Sequence, residues 1–266
     1  MRTFLRHYLL ALQFFTRVPV TGRLAEWVGY SPAMLRASAA HFPGIGWLVG
    51  GSCAVLAATL QWALPPLPMA GLVAAVLVTA ASVLQTGAFH EDGLADVVDG
   101  LGGSPDRLRA LDIMKDSRIG AFGALALMLV VLLKLALLAL LWSQAPALLP
   151  WSLFAAHVTS RFFPLMLVRT MRHVGDEGRS KSKPLADQIG SGSLFVALLW
   201  TLAALLLVAV CRPEMPLAWP LVAAALVCLW LRRWFQRRLQ GFTGDCLGAT
   251  QQLCEVLFYL GLVLAL

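Results

Sequence analysis

Residues 121–142 read "AFGALALMLVVLLKLALLALLW", an apolar run interrupted by a single lysine, Lys134. A bilayer core about 30 Å thick is crossed by a helix of about twenty such residues. Six more runs share this character, at 41–63, 67–89, 146–168, 193–211, 217–231 and 250–266, the last two being the shortest in their apolar content. The 266 residues are 59% hydrophobic and 13% charged, where a soluble domain carries about a quarter charged residues. The chain therefore reads as all-α, a polytopic helical membrane protein with about seven transmembrane helices forming one integral membrane domain over 1–266.

The first apolar stretch, "YLLALQFF" (8–15), is short and runs into "TRVPV" with no small-residue cleavage site. It reads as an N-terminal helix lying in the interface. Basic residues then orient the rest. Eighteen of the 21 Lys and Arg fall in 1–40, 90–120, 169–192 and 232–249, while the short connections between the other run ends share only Arg212. That asymmetry puts the N-terminus and the long connections in the cytoplasm, and an odd number of spans leaves the C-terminus outside. The net charge of +7 reflects this topology and gives no reason to expect nucleic acid. Five cysteines without a C-x-x-C pair read as small core residues.

Seven of the fourteen acids (Glu91, Asp92, Asp96, Asp99, Asp106, Asp112 and Asp116) lie between positions 91 and 116. Asp92, Asp96 and Asp99 follow an i, i+4, i+7 spacing that gathers three carboxylates on one helix face, and Asp112 and Asp116 repeat the i, i+4 step. Like charges so placed repel and call for a counter-charge. Oxygen ligands suit a hard cation, and Mg²⁺ is commonly held by a few carboxylates together with substrate phosphates. Zinc finds neither H-E-x-x-H nor a cysteine ligand set. The competing interpretation is a solvated charge run beside lipid headgroups. Against it stand the even spacing, the glycines at 93, 100, 102 and 103, and the direct junction with an apolar run.

Cationic partners for phosphate are at hand. "MKDSRIG" (114–120) sets Lys115 and Arg118 around Asp116, and Arg161 lies in the inner half of the fourth run. Lys134 reads as a lysine that snorkels toward the outer interface. The stretch "GDEGRSKSKPLADQIGSG" (175–192) reads as a flexible basic loop for phosphates or simply as a topology signal. His90 is a base beside the acids or a helix-end hydrogen-bonding group. A transporter would carry acids within several spans and a repeat between halves. Here the acids follow a span and no repeat is visible.

Several blocks in order carry a family likeness: "FFTRVPV" (14–20), "FPGIGWLVG" (42–50), "FHEDGLADVVDGLGG" (89–103), "RLRALDIMKDSRIGAFG" (107–123), "TSR" (159–161) and "GFTGDCLGATQQLCE" (241–255). Through them the chain resembles the adenosylcobinamide-GDP ribazoletransferase, or cobalamin synthase, family over almost its whole length. The resemblance implies a Mg²⁺-dependent transfer in a bacterial inner membrane. Adenosylcobinamide-GDP would be joined to α-ribazole or its 5'-phosphate with release of GMP. The acidic block is also similar to the CDP-alcohol phosphotransferase motif D-x-x-D-G…D-x-x-x-D. Asp96 and Asp99 match its first half and Asp112 and Asp116 its second. The Ala-Arg after the glycine is missing, however, and the halves lie closer together.

A membrane CDP-alcohol-type phosphotransferase with another nucleotide-linked substrate is accordingly the nearer alternative. The likeness implies metal ligands among Asp92, Asp96, Asp99, Asp112 and Asp116. Asp116, Arg118 and Asp92 would take catalytic roles, Asp116 accepting the hydroxyl proton. Arg161, Asp245, His90 and Lys115 would bind the nucleotide-linked substrate, Asp245 capping the last helix as its alternative role. The expected surroundings are the lipid bilayer and the two substrates, with homo-oligomerisation left open.

Overall fold

A computed structural model describes residues 1–175 and 189–266, so most of the basic loop read over 175–192 lies outside the described residues. The chain opens with α1 (Arg2–Phe15), α2 (Gly22–Val28) and α3 (Pro32–Ser38), and a 3₁₀ turn leads into α4 (Phe42–Ala63). Then come α5 (Ala70–Thr86), α6 (Phe89–Gly103), α7 (Arg107–Ile113), α8 (Ala121–Gln144) and α9 (Leu149–Thr170). After the undescribed stretch the chain continues as α10 (Ser191–Cys211), α11 (Ala218–Arg238) and α12 (Gly244–Val263).

The seven apolar runs thus appear as α4, α5, α8, α9, α10, α11 and α12. Among the described residues, five helical segments, ending in α4, α8, α10, α11 and α12, are long and apolar enough to cross a membrane. The consecutive pair α5 and α6 would make a sixth span, but the two are bent by 89°. The expected count of about seven is therefore met in long helices and not in span-like composition. The two that fall short are α5, only 17 residues long, and α9, whose buried face includes His157, Thr159, Ser160 and Arg161.

Leu125, Leu129 and Leu132 of α8, Leu199, Leu202 and Leu206 of α10, and Val222, Leu226 and Trp230 of α11 are exposed. Apolar surface of this extent suits lipid, not water. α1 is amphipathic, with Leu10, Ala11, Leu12 and Phe15 buried and Phe4 and Leu5 outward, as an interfacial helix requires.

The bend after α5 decides where the acids go. Gly87 (φ 69°) and Ala88 (φ 58°) both take left-handed backbone. A glycine at the first of these meets no Cβ penalty. The chain turns there by 89°, and α6 packs across the starts of α8 and α12. Glycines 93 and 248 let α6 and α12 touch. A Cβ on Gly93 would stand 2.8 Å from the Asp245 carbonyl oxygen, and one on Gly248 would stand 3.1 Å from that of His90.

The long connections meet on this same face. Arg107 Nε donates to the Leu239 carbonyl (2.6 Å) and Arg238 Nη2 to that of Ser104 (2.6 Å). The Val174 and Phe242 N–H groups bond to the carbonyls of Phe242 and Arg172. One face of the bundle therefore carries the basic connections and the acidic helix together. Cytoplasmic orientation of that face has a direct test. Cys211 is the exposed native thiol, the other four being buried. In a Cys211→Ser background, Ser143→Cys is expected to react with an impermeant thiol reagent in intact cells. Leu108→Cys is expected to react only after permeabilisation, and the reverse pattern would overturn the orientation.

Candidate active site

The acids of α6 divide by burial. Asp92 is exposed, Asp96 half-buried and Asp99 buried. Asp99 turns toward the start of α8, where its Oδ2 accepts the Gly120 N–H (2.7 Å) and its Oδ1 the Gly123 N–H (2.8 Å). The first N–H groups of a helix have no intrahelical acceptor, and a carboxylate there also meets the positive end of the helix dipole. A Cβ at Gly120 or Gly123 would overlap the Asp99 carboxylate. Asp99 thereby pins the "DSRIG" turn (116–120) to α6.

Asp96 is the crowded member. Burial first, and then the charges of Asp245, Asp92 and Asp99, push its carboxyl up to about 7. Among the described residues, no basic group contributes to that shift. Asp245 reaches this group through the close α6–α12 crossing. Capping of α12 falls to Thr243 and not to Asp245: its Oγ1 accepts the Cys246 N–H and donates to Asp245 Oδ2 (3.1 Å).

The five-aspartate ligand set expected from the sequence is not assembled as such. Asp112 pairs with Lys115 across 3.8 Å, both side chains being largely exposed. Asp116 is held by Arg118, whose Nη2 donates to its Oδ2 at 2.6 Å and whose Nε donates to both oxygens. Those bonds hold the Asp116 carboxyl low, at about 2, and they engage both of the oxygens that the general-base role expected of it would use. Arg118 itself is 87% exposed and available to an incoming phosphate. Among the described residues, no three His, Cys, Asp or Glu side chains stand ready to hold a metal. Mg²⁺ does not require three, since it keeps several waters and binds through one or two carboxylates plus phosphate. The crowded, uncompensated carboxylates Asp92, Asp96 and Asp245 fit such an ion.

Arg161 is placed elsewhere. It is 1% exposed, its Nη1 donates to the His157 carbonyl (2.8 Å) and meets His157 Nδ1 (3.0 Å), and its guanidinium lies 5.8 Å from the Phe42 ring centroid. The expectation of an arginine open to phosphate is not how this side chain is held. Lys134 is a plain correction. It does not snorkel: it is 3% exposed and its Nζ stands 2.6 Å from Glu255 Oε1. Glu255 also accepts from Gln251 (2.8 Å) and Tyr259 (3.3 Å) and faces His157 (3.5 Å). Gln252 donates to Gln251 and to Glu91 on α6. The sequence reading assigned no role to this interior network, and it took the acids to lie outside the spans. The signal was present in "TQQLCE" (250–255), since ionisable and amide groups inside an apolar helix are costly unless they meet partners. His90 is buried, stacks at 5.7 Å on Phe42, and its Nε2 has no hydrogen-bond partner among the described residues.

Comparison with known proteins follows the same residues. A family model described as cobalamin-5-phosphate synthase matches residues 7–263. The adenosylcobinamide-GDP ribazoletransferase of Polaromonas naphthalenivorans (strain CJ2) is 57% identical over 278 residues, covering 100% of both chains. That of Albidiferax ferrireducens is 58% identical over 280 residues, also 100% of both. One from Vibrio cholerae is 40% identical, covering 95% of this chain and 91% of the relative. No solved structure matches.

Proposed function

The chain belongs to the cobalamin-5-phosphate synthase family, and from that premise we propose how its acidic face carries the reaction. The activity is that of a transferase joining adenosylcobinamide-GDP to ribazole in cobalamin biosynthesis. In bond terms, a ribazole hydroxyl oxygen attacks the phosphorus attached to adenosylcobinamide. The P–O bond to GMP breaks, GMP departs with the bridging oxygen on its phosphate, and the hydroxyl proton passes to solvent.

The observation that carries the reading is the crowding of Asp92, Asp96 and Asp245 without a basic partner among the described residues, beside an exposed arginine. One or two of these carboxylates, together with substrate phosphate and water, would hold Mg²⁺. The ion, when bound, would supply positive charge to the GDP pyrophosphate and to the charge that builds up on the leaving oxygen. Asp99 orients the turn that presents Arg118, and Asp116 holds the guanidinium in place. Arg118 then offers its free N–H groups to the phosphates. Positioning and charge stabilisation are what a phosphoryl transfer chiefly demands of a protein. The basic-residue asymmetry supports a cytoplasmic acidic face in a bacterial inner membrane.

Purified protein is expected to release GMP from adenosylcobinamide-GDP when α-ribazole is added, and to stop when EDTA removes divalent cations. Release that ignores ribazole would defeat the transfer, and release that ignores EDTA would defeat the metal. Arg118→Gln is expected to raise KM for the GDP-linked substrate by roughly 10- to 100-fold, the worth of a charge-assisted bond to phosphate. Its melting temperature should stay at the wild-type value because the side chain touches little else. Unchanged KM would remove Arg118 from phosphate recognition.

A further inference from the structure

A cavity opens between α1, α4, α6, α9 and the first turn of α12, beside the acids yet separate from them. Its walls include Phe14, Phe15, Phe42, Phe89 and Val168, and His90 is the single polar side chain among its lining residues. The rings form one connected set. Phe15 stacks on Phe42 at 4.2 Å, Phe42 on His90 at 5.7 Å, and Phe89 meets His90 edge-on at 5.5 Å. His90 Nε2, fully buried, finds no partner among the described residues. Gly244 and Gly248, which flank Asp245 on α12, also line the space.

Accepting that the chain transfers to ribazole, we infer that this cavity binds the benzimidazole base of the ribazole substrate, with His90 Nε2–H donating to its one free ring nitrogen. The chemistry on both sides matches. A benzimidazole linked to ribose is flat, apolar and aromatic, and offers one in-plane acceptor. The cavity offers aromatic walls and one in-plane nitrogen without a partner. A buried polar group left unpaired is costly, so a ligand that pairs it is favoured over one that does not. A lipid chain has no acceptor and would leave Nε2 orphaned. A guanine edge would bring several donors and acceptors into a wall that answers only one. At rest the space is narrow, about 40 Å³. A bicyclic ring enters as Phe14, half-buried, and Phe89, 39% exposed, swing aside at its edge. Gly244, which precedes Asp245 on α12, lines the cavity, so the ribose of a base seated there would lie toward the start of α12.

The test separates the two substrates. His90→Phe keeps the ring and loses the nitrogen. It is expected to raise KM for α-ribazole about ten-fold, the value of one hydrogen bond made to an otherwise orphaned group. KM for adenosylcobinamide-GDP should stay within about two-fold, since the variant leaves the acidic face untouched. His90→Gln, which restores a donor near the Nε2 position, should recover most of the loss. Val168→Phe, which fills the cavity from α9, should raise the same KM further.

A wild-type measurement stands apart from any folding defect. Free dimethylbenzimidazole should inhibit competitively against α-ribazole and not against the GDP-linked substrate. KM for ribazole unchanged in both His90→Phe and Val168→Phe, or no competition by the free base, would overturn the assignment. Should wild-type enzyme fail to release GMP with ribazole at all, the transfer reading falls. Binding of the free base to wild type and not to Val168→Phe, followed by its fluorescence, then still decides the cavity.

Discussion

Asp96→Asn is expected to lower kcat by about 10²–10³-fold or more while leaving the protein folded. Asp96 is the most crowded carboxylate of the acidic face, and removing its charge removes a ligand from the proposed Mg²⁺ site. Its effect on stability has the opposite sign. A carboxyl whose native value is raised to about 7 from an unfolded value near 3.8 costs stability once pH exceeds the unfolded value. That cost grows until the native carboxyl ionises. Metal-free Asp96→Asn should therefore melt at or above the wild-type temperature at pH 8, with the difference vanishing toward pH 4. Asp99→Asn should behave otherwise. An asparagine offers one oxygen where Gly120 and Gly123 present two N–H donors, so one donor is left facing an amide NH₂. About 1–3 kcal/mol of stability should go with the activity. Near-wild-type turnover in Asp96→Asn with unchanged Mg²⁺ dependence would remove this residue from the metal site.

Glu255→Gln is expected to be the most destabilising single exchange in the interior. Glu255 is 1% exposed and is the shared acceptor for Lys134, Gln251 and Tyr259, with His157 facing it. The amide leaves the Lys134 ammonium buried without its counter-ion, inside a bundle whose outer surface meets lipid. Breaking a buried pair by removing one partner costs about 3–5 kcal/mol. The variant should lose yield in detergent extracts and melt far below wild type. Removing both charges tests the cause. Lys134→Met combined with Glu255→Met should recover most of the lost stability, because no unpaired charge remains. A double variant no better than Glu255→Gln would show that the hydrogen bonds of the network, and not its charge balance, hold α8, α9 and α12 together. Through Gln252 and Glu91 the same network reaches α6, so partial unfolding should also disturb the acidic face.

How far the sequence shows this architecture depends on whether the relevant partner is local. Seven long helices were legible because about twenty apolar residues have few alternatives in a bilayer. Their ends drifted where a helix continues into polar residues, as α11 does through Arg238 and as α12 does from Gly244. The sharp turn at Gly87–Ala88 was not legible. A left-handed alanine has no composition signal, and without that turn α6 reads as a simple extension of α5. The clustering of Asp92, Asp96 and Asp99 was visible in their spacing. The use of Asp99 as a cap for α8 was not, because its donors are backbone groups that leave no letter in the sequence beyond the glycines they need. Lys134 and Glu255 were separately visible as odd residues in apolar runs. Their pairing is a product of tertiary packing, and the expectation that lysine snorkels overlooked a carboxylate on a distant helix. The aromatic cavity is likewise built from five separate stretches of chain.

Metal binding measured directly, apart from turnover, bears most closely on the central claim that Asp92, Asp96 and Asp245 form a divalent-cation site. Mn²⁺ can stand in for Mg²⁺, and its free-ion electron paramagnetic resonance signal falls as it binds. Wild-type protein titrated with Mn²⁺ in the presence of adenosylcobinamide-GDP, without ribazole, should quench that signal to saturation. Asp96→Asn should weaken the binding at least about ten-fold, and excess Mg²⁺ should restore the free signal in wild type. Equal Mn²⁺ affinity in wild type and Asp96→Asn, or no binding by wild type with the GDP-linked substrate present, would contradict the account.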